Sequence, residues 1–268
     1  MPLYICVTCG TQYPESEQPP AHCPICEDER QYVHPNGQQW TTLEALQRDF
    51  HNVIQQVEPS LYRIKTEPKL GIGQQAFLVQ TPQGNVLWDC ITLIDAPTRE
   101  AIRQLGGIRA IAVSHPHYHS TTVEWSQAFD HAPIYIHADN REWVVRPDPA
   151  VTLWEGEQVS LGDGLTLIRC GGHFAGSAVL HWRDGAEGRG VLLTGDTIDI
   201  VADSRYMSFM YSYPNLIPMS ASKVRQIMRS VEPFAFDRMY EAFGQVAQQN
   251  AKEGLRYSAE RYIRAITE

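Results

Sequence analysis

Three of the ten histidines in this 268-residue chain lie within five residues of one another, at His115, His117 and His119. They follow Ile108–Val113, an apolar, β-branched run that predicts a buried strand. Side chains alternate along an extended chain, and Pro116 favours extended backbone for the residue before it, so the first two imidazoles are expected to converge. Neutral imidazole is the commonest metal ligand. The pattern predicts part of a metal site; a histidine-rich surface loop is the alternative.

Two later segments carry residues that could complete such a site. His173 lies in the glycine-rich sequence Gly-Gly-His-Phe-Ala-Gly-Ser at 171–177, where glycine lets the backbone approach a bound ion closely. Asp196 follows the apolar run 191–193 and a Thr-Gly pair. Each residue alone is more typical of a structural histidine or a turn-forming aspartate. Their order after the first histidines is the informative feature.

The order strand, His-x-His, helix, Gly-x-His-x-x-Gly-Ser, strand, Gly-Asp resembles the metallo-β-lactamase fold superfamily, from about residue 60 to the C-terminus. The resemblance implies an α/β fold, a four-layer αββα sandwich with a metal site along one edge of its two sheets. It implies that His115, His117 and His173 bind one metal ion. Asp196 then matches the carboxylate that bridges the two ions in two-metal members.

The chain matches this superfamily at one further position and departs from it at three. Asp89 stands where these proteins usually carry an aspartate near the site. In the motif His-x-His-x-Asp-His the last two residues bind a second metal, and here they are His119 and Ser120. A late histidine in a Gly-His-Gly turn corresponds to Phe243. The resemblance therefore implies a site for one metal ion.

A zinc ion held by three histidines and a water supplies hydroxide near neutral pH. We therefore predict a single-zinc hydrolase acting on an ester, lactone or thioester. Asp196 or His119 is the predicted residue for proton transfer. If Asp196 instead binds the ion directly, the site is closed. The alternative is then a catalytically degenerate metal-binding or partner-binding protein of the same fold.

Arg205 and Tyr206, in an aromatic and methionine-rich stretch, are the predicted substrate contacts.

Four of the six cysteines form two Cys-x-x-Cys pairs, made by Cys6 with Cys9 and by Cys23 with Cys26. Two such pairs complete a tetrahedral four-sulfur site, and a segment with so little core needs the metal to fold. The pattern resembles the rubredoxin-like domain of rubrerythrins and, more loosely, zinc ribbons. We predict zinc here, because no redox partner site is apparent. Iron in the four cysteines of a redox protein is the alternative.

An Asn-Gly turn at 36–37 closes this module. The predicted domains are therefore a rubredoxin-like zinc ribbon over 1–37 and a metallo-β-lactamase-like domain over 38–268. A capping box predicts a helix over 42–53 that bridges them.

The composition is that of an ordinary globular protein, with 43% hydrophobic and 20% charged residues. The net charge of -9 argues against binding to nucleic acid or anionic lipid. The N-terminus has no basic segment followed by an apolar one, and no apolar run approaches membrane-spanning length. We expect a cytoplasmic protein with a small-molecule substrate, and a protein partner bound through the ribbon in the non-catalytic alternative.

Overall fold

The computed structural model describes residues 1–268 and divides into two compact units. The first unit comprises Met1–Ile136 and Arg141–Leu153, and the second comprises His137–Asn140 and Trp154–Glu268. None of the helices combines the length and the apolarity that crossing a lipid bilayer requires.

The first unit begins with a small antiparallel sheet of order β2-β1-β3. Its elements are β1 (Leu3–Cys6), β2 (Gln12–Glu15), the helical turn α1 (Pro24–Glu27) and β3 (Trp40–Thr41). Both Cys-x-x-Cys pairs lie at the ends of these short elements, and all four cysteines are buried. The predicted ribbon falls in the same compact unit as the residues that follow it. Its boundary at residue 37 stays a prediction.

The main sheet of the first unit has seven strands in the order β10-β9-β8-β7-β6-β5-β4. The strands are β4 (His51–Glu58), β5 (Leu61–Glu67), β6 (Ala76–Val79), β7 (Val86–Trp88), β8 (Ala110–Ala112), β9 (Ile134–His137) and β10 (Val151–Trp154). The helices are α2 (Leu43–Asp49), α3 (Ala96–Gln104) and α4 (Thr122–Ala128). β4 to β7 pair antiparallel, whereas β7, β8 and β9 are parallel. Helices α3 and α4 connect these three parallel strands. The loop after β8 therefore lies at the edge of the sheet where the parallel strands have their carboxyl ends.

The second unit is built on a sheet of order β11-β12-β13-β14-β19-β20. Its strands are β11 (Gln158–Gly162), β12 (Leu165–Arg169), β13 (Ala178–Trp182), β14 (Val191–Leu193), β19 (Arg238–Tyr240) and β20 (Val246–Ala247). Two hairpins follow β14, formed by β15 (Asp199–Ile200) with β16 (Met207–Ser208) and by β17 (Met210–Ser212) with β18 (Ile217–Pro218). The helical segments are α5 (Gly185–Gly188), α6 (Ala221–Val231) and α7 (Ala251–Thr267).

The core of the second unit forms where α6 and α7 cover this sheet. Val224, Ile227 and Val231 recur at helical spacing on α6, so one face of the helix is buried. β14 is buried at every residue and pairs in parallel with β19, with Leu193 opposite Tyr240. The carboxyl ends of β14 and β19 therefore lie side by side, and each leads into a loop with buried carboxylates.

Two local predictions differ from the structure. The helix predicted over 42–53 ends at Asp49, and His51–Glu58 is instead strand β4. This β-branched segment pairs along its length with β5, and tertiary pairing outweighs the helical pattern. The histidines were expected on extended backbone, but Pro116–Tyr118 forms a single 3-10 turn. Proline is favoured at the first position of such a turn.

Candidate metal centres

The loop after β8 presents His115 and His117. His115 keeps extended backbone, with φ -165° and ψ 174°, and His117 lies inside the 3-10 turn. Both are almost fully buried. The Oγ of Ser114 lies 2.9 Å from the Nδ1 of His115. This contact at Nδ1 fixes the orientation of the ring and leaves Nε2 as the atom that can bind an ion.

Asp89 holds the start of this loop in place. Its backbone N–H donates to the carbonyl of Ala112 at 2.8 Å, and its carboxylate accepts a hydrogen bond from the N–H of Ser114 at 2.7 Å. Asp89 has a left-handed φ of 59° and is 2% exposed. The aspartate that the resemblance placed near the site thus fixes the residue before His115.

Ser177 closes the loop that carries His173. Its carbonyl accepts hydrogen bonds from the N–H groups of Cys170 and Gly171, at 2.8 and 2.9 Å. Its hydroxyl accepts one from the N–H of Phe174 at 2.8 Å. The backbone is therefore tied on both sides of the histidine, which fixes the point from which the His173 side chain leaves the loop.

Gly172 is required beside this histidine for two reasons. Its φ is +86°, which side chains rarely adopt. A Cβ there would also lie 2.9 Å from the Cδ1 of Ile227 and 3.0 Å from the Sδ of Met219. The glycine thus lets the loop approach the core of the second unit.

Asp196 lies at the carboxyl end of β14, where Thr194 donates its N–H to the carbonyl of Tyr240 on the neighbouring strand at 3.0 Å. The hydroxyl of Tyr213 donates to the backbone carbonyl of Asp196 at 3.0 Å. The ring centroid of Tyr213 is 6.0 Å from that of His173. Sequence reasoning missed Tyr213, which lies in the same aromatic and methionine-rich stretch as Arg205 and Tyr206.

The structure brings together the four residues predicted to bind one metal. One donor atom from each of His115, His117, His173 and Asp196 lies within 4.8 Å of all the others, and all four residues are buried. Donors around a tetrahedral zinc ion with bonds to nitrogen and oxygen are about 3.3–3.6 Å apart, so small side-chain movements suffice for one ion. Three imidazoles and a carboxylate are a donor set that divalent transition metals favour. The residues present therefore fit such an ion.

His119 is not one of these four, and the structure places it against Trp143. Its Nδ1 is 3.0 Å from the carbonyl oxygen of Trp143, and its Nε2 is buried without a hydrogen-bond partner. A carbonyl can only accept, so the proton is on Nδ1. Burial lowers the pKa of His119 to about 4. At neutral pH His119 is therefore an uncharged imidazole with its proton on Nδ1.

Arg205 and Tyr206, the predicted substrate contacts, interact with neighbouring surface residues. Arg205 is exposed and pairs with Asp203 at 2.7 Å. The guanidinium of Arg261 lies 4.5 Å from the ring centroid of Tyr206, which also contacts the ring of Tyr257 at 5.5 Å. These contacts tie Tyr206 to α7 and Arg205 to the nearby Asp203. Their role in substrate binding stays a prediction.

Two further carboxyl groups lie near Asp196, and sequence reasoning did not find either. Burial, followed by the charge of Asp196, raises the pKa of Asp199 to about 6. Burial also raises the pKa of Glu241 to about 7, although its carboxylate accepts hydrogen bonds from the N–H groups of Phe243 and Gln245. A cation bound at Asp196 would oppose both increases, because it favours the charged carboxylates.

The raised pKa of Glu241 predicts a pH effect on the metal-free protein. Between the usual value of 4.5 and about 7 the folded state binds more protons than the unfolded state, so stability falls as pH rises. The loss reaches about 3 kcal/mol for this group. We expect Glu241→Gln to flatten the pH dependence of the free energy of unfolding in this window, measured by urea denaturation.

The quantity compared is the slope of the free energy of unfolding against pH. Groups that titrate alike in both proteins cancel in the difference between the slopes, and a pH-independent cost of a lost hydrogen bond does not change a slope. Glu260→Gln, at an exposed position on α7, is the control and should leave the slope unchanged. Parallel curves for wild type and Glu241→Gln would contradict the assignment.

The four cysteines form a second cluster. Their sulfur atoms all lie within 4.8 Å of one another, with 3.5 Å between Cys6 and Cys26 and 3.6 Å between Cys9 and Cys23. These distances exclude disulfides and approach the spacing of about 3.8 Å around a tetrahedral zinc ion. Contact with Cys23 lowers the pKa of the Cys6 thiol and raises that of Cys26. A metal ion would replace the protons that the sulfurs share, so these residues also fit a metal.

No protein-family model matches the chain. A search of curated proteins finds the uncharacterized protein YmaE of Bacillus subtilis (strain 168), which is 55% identical over 268 residues. The match covers 99% of this chain and 97% of YmaE.

Solved structures with a similar fold include several metallo-β-lactamases. The DIM-1 metallo-β-lactamase matches with a TM-score of 0.60 and 15% identity, covering 79% of this chain and 98% of its own. The mono-zinc form of FIM-1 from Pseudomonas aeruginosa matches with a TM-score of 0.57 and 14% identity, covering 78% and 95%. The metal-soaked Flv1 flavodiiron core from Synechocystis sp. PCC6803 matches with 0.57 and 11%, covering 80% of this chain and 61% of its own.

These likenesses confirm the predicted fold class, the α/β metallo-β-lactamase sandwich. The four-cysteine cluster is consistent with the predicted N-terminal zinc ribbon.

Proposed function

We propose that this chain, which belongs to the family of Bacillus subtilis YmaE and has the metallo-β-lactamase fold, is a single-zinc hydrolase of an ester, lactone or thioester. The observation that carries the proposal is the buried cluster of three imidazoles and one carboxylate, drawn from four separate points of the chain. Buried clusters of side chains with metal-ligand chemistry are typical of functional sites.

At the positions that hold a second metal in the superfamily, this chain has residues that form other hydrogen bonds or offer no donor atom. This supports a site for a single ion. His119 donates to the carbonyl of Trp143. The hydroxyl of Ser120 donates to the carbonyl of Cys90 at 3.1 Å and lies 3.4 Å from the amide of Gln74. Phe243 offers only carbon atoms and is 42% exposed.

The residues of this cluster have two proposed roles, which are metal binding and proton transfer. His115, His117 and His173 would hold the ion, and Asp196 would accept a proton from the water in the fourth position, because direct binding by Asp196 would close the site. A zinc ion bound there would supply water activated for attack on a carbonyl carbon near neutral pH. Tyr213 fixes the backbone of Asp196 and packs against His173, so it orients the proton acceptor relative to one ligand. Asp89 likewise fixes the backbone of the loop that carries His115.

Metal content and hydrolysis together test the proposal. Elemental analysis of the purified protein is expected to give two zinc ions per chain, one for the cysteines and one for the histidine cluster. Assays use an aryl ester, a γ-lactone and an acyl thioester, before and after chelation and after zinc is restored. We expect at least one substrate to be hydrolysed, with the activity lost on chelation and regained with zinc. Three ions per chain, hydrolysis by the metal-free protein, or no hydrolysis in any assay would contradict the proposal.

A further inference from the structure

The cysteine module is packed directly against the loop that carries the histidines. Gly10, which follows Cys9, has a φ of +79°, and a Cβ there would lie 2.0 Å from the hydroxyl oxygen of Thr92. That hydroxyl donates to the carbonyl of Gly10 at 3.3 Å. Two residues later, the N–H of Gln12 donates to the carbonyl of Ser120 at 3.0 Å. Strand β2, which follows the first Cys-x-x-Cys turn, thus bonds to the residue directly after His119.

A second segment of the first unit, residues 143–146, joins the same contact. Trp143 and Val145 pack against the cluster formed by the four cysteines, Tyr13 and Ile25. The guanidinium of Arg30 lies 5.3 Å from the ring centroid of Trp143. These contacts are made by the module itself, so they depend on its being folded.

Arg146 extends this attachment to the helix that follows the histidines. It donates to the side-chain carbonyl of Gln12 and to the carboxylate of Glu124 on α4, the latter at 2.9 Å. Both side chains of the Arg146–Glu124 pair are mostly buried, with 15% and 22% exposed. Gln12 therefore bonds to Ser120 through its backbone and to Arg146 through its side chain.

Trp143 links the two centres within a single residue. Its ring packs on the cysteine cluster, while its carbonyl accepts the Nδ1 proton of His119. That bond selects the tautomer of His119 and leaves Nε2 as a buried lone pair. Whatever fixes the ring of Trp143 therefore also fixes the carbonyl that orients His119.

We infer that Trp143 is a positioning residue through which the four-cysteine centre sets the tautomer and orientation of His119. When the cysteine centre holds its metal, the ring of Trp143 has a rigid surface to pack on and its carbonyl stays fixed. When the metal is lost, the small module loses its order. His119 then loses the acceptor that selects its tautomer. The inference does not depend on hydrolysis, because it concerns contacts within the first unit.

Two tryptophans provide a matched test. Trp40 and Trp143 both pack partly buried against the same cysteine cluster, but only Trp143 bonds to His119. Long-range 1H–15N correlation spectra of the zinc-loaded full chain report the tautomer of each histidine, and His119→Gln identifies the His119 signal. In wild type we expect the Nδ1–H tautomer from pH 6 to 8. In Trp143→Ala the two ring nitrogens are expected to shift toward averaged tautomer values, and in Trp40→Ala they should stay as in wild type.

A Trp143→Ala spectrum identical to wild type would overturn the inference, and so would an equal change in both tryptophan variants. A Cys23→Ser variant provides a second arm, since loss of the cysteine-bound metal should produce the same averaging of the His119 signal. An unchanged His119 signal in a folded Cys23→Ser chain would also overturn it. If Cys23→Ser does not fold, the tryptophan pair decides.

Discussion

A His117→Ala variant is expected to lose one zinc ion per chain, together with about a thousandfold or more of its hydrolytic rate. His117 is 2% exposed and contributes one of four donors that lie within 4.8 Å of one another. With one imidazole removed, the remaining two histidines and Asp196 bind a divalent ion more weakly. Without the ion, water keeps its ordinary pKa, and the site has no neutral-pH nucleophile. Elemental analysis and initial rates on the best substrate measure both effects.

His181→Ala is the matched control for this experiment. His181 is also buried, at 6% exposed, and its Nε2 lies 2.8 Å from the carbonyl of Ala235. It is not part of either metal cluster. We expect this variant to lose stability but to keep both zinc ions and its rate. A His117→Ala protein that retained two ions and a rate within tenfold of wild type would exclude His117 as a ligand.

Three of the four residues in the histidine cluster are held in place by a neighbour that is not part of the cluster. The carboxylate of Asp89 fixes the backbone before His115, and Ser177 ties the loop around His173. Tyr213 fixes the backbone of Asp196. These supports matter because ligands on loops are only as precise as the contacts that hold the loops. Substitutions at the supporting residues should therefore weaken metal binding without removing a donor atom.

The convergence of His115, His117, His173 and Asp196 could be predicted because the sequence signals of these residues are local. A β-branched strand followed at once by His-x-His, or a strand followed by Gly-Asp, places a side chain at a strand end whatever the rest of the chain does. Even there the local geometry was wrong in detail, since Pro116 starts a 3-10 turn. Strand β4 was missed for a different reason. Its pairing with β5 is a tertiary contact that helix propensity does not contain.

The supporting residues could not be predicted, because their roles exist only once distant segments meet. Tyr213 is 17 residues from Asp196, and Trp143 is 24 residues from His119. Nothing in the sequence around either residue marks it as different from any other aromatic side chain. The raised pKa of Glu241 likewise comes from burial beside Asp196 and Asp199, which follow a neighbouring strand.

The cysteine module raises a separate question, which is how much of the stability of the first unit depends on its metal. Its sulfur atoms are buried with few apolar side chains around them. A module of about forty residues with so small a core folds only with a further constraint. The contacts of Gln12 with Ser120 and Arg146 connect the module to the loop before α4 and to the segment before β10. Loss of this metal should therefore destabilise more than the module.

We expect Cys23→Ala to lose the cysteine-bound zinc and to lower the free energy of unfolding by about 4 kcal/mol or more. Cys90→Ala is the control, because it removes the same sulfur atom from a residue that is also 0% exposed in the same unit but belongs to no cluster. The control should cost only about 1 kcal/mol, the usual effect of a small cavity. Urea denaturation in the presence of reductant, followed by circular dichroism and by zinc release, measures both variants. Equal losses with two zinc ions retained in each would show that the four cysteines hold no structural metal.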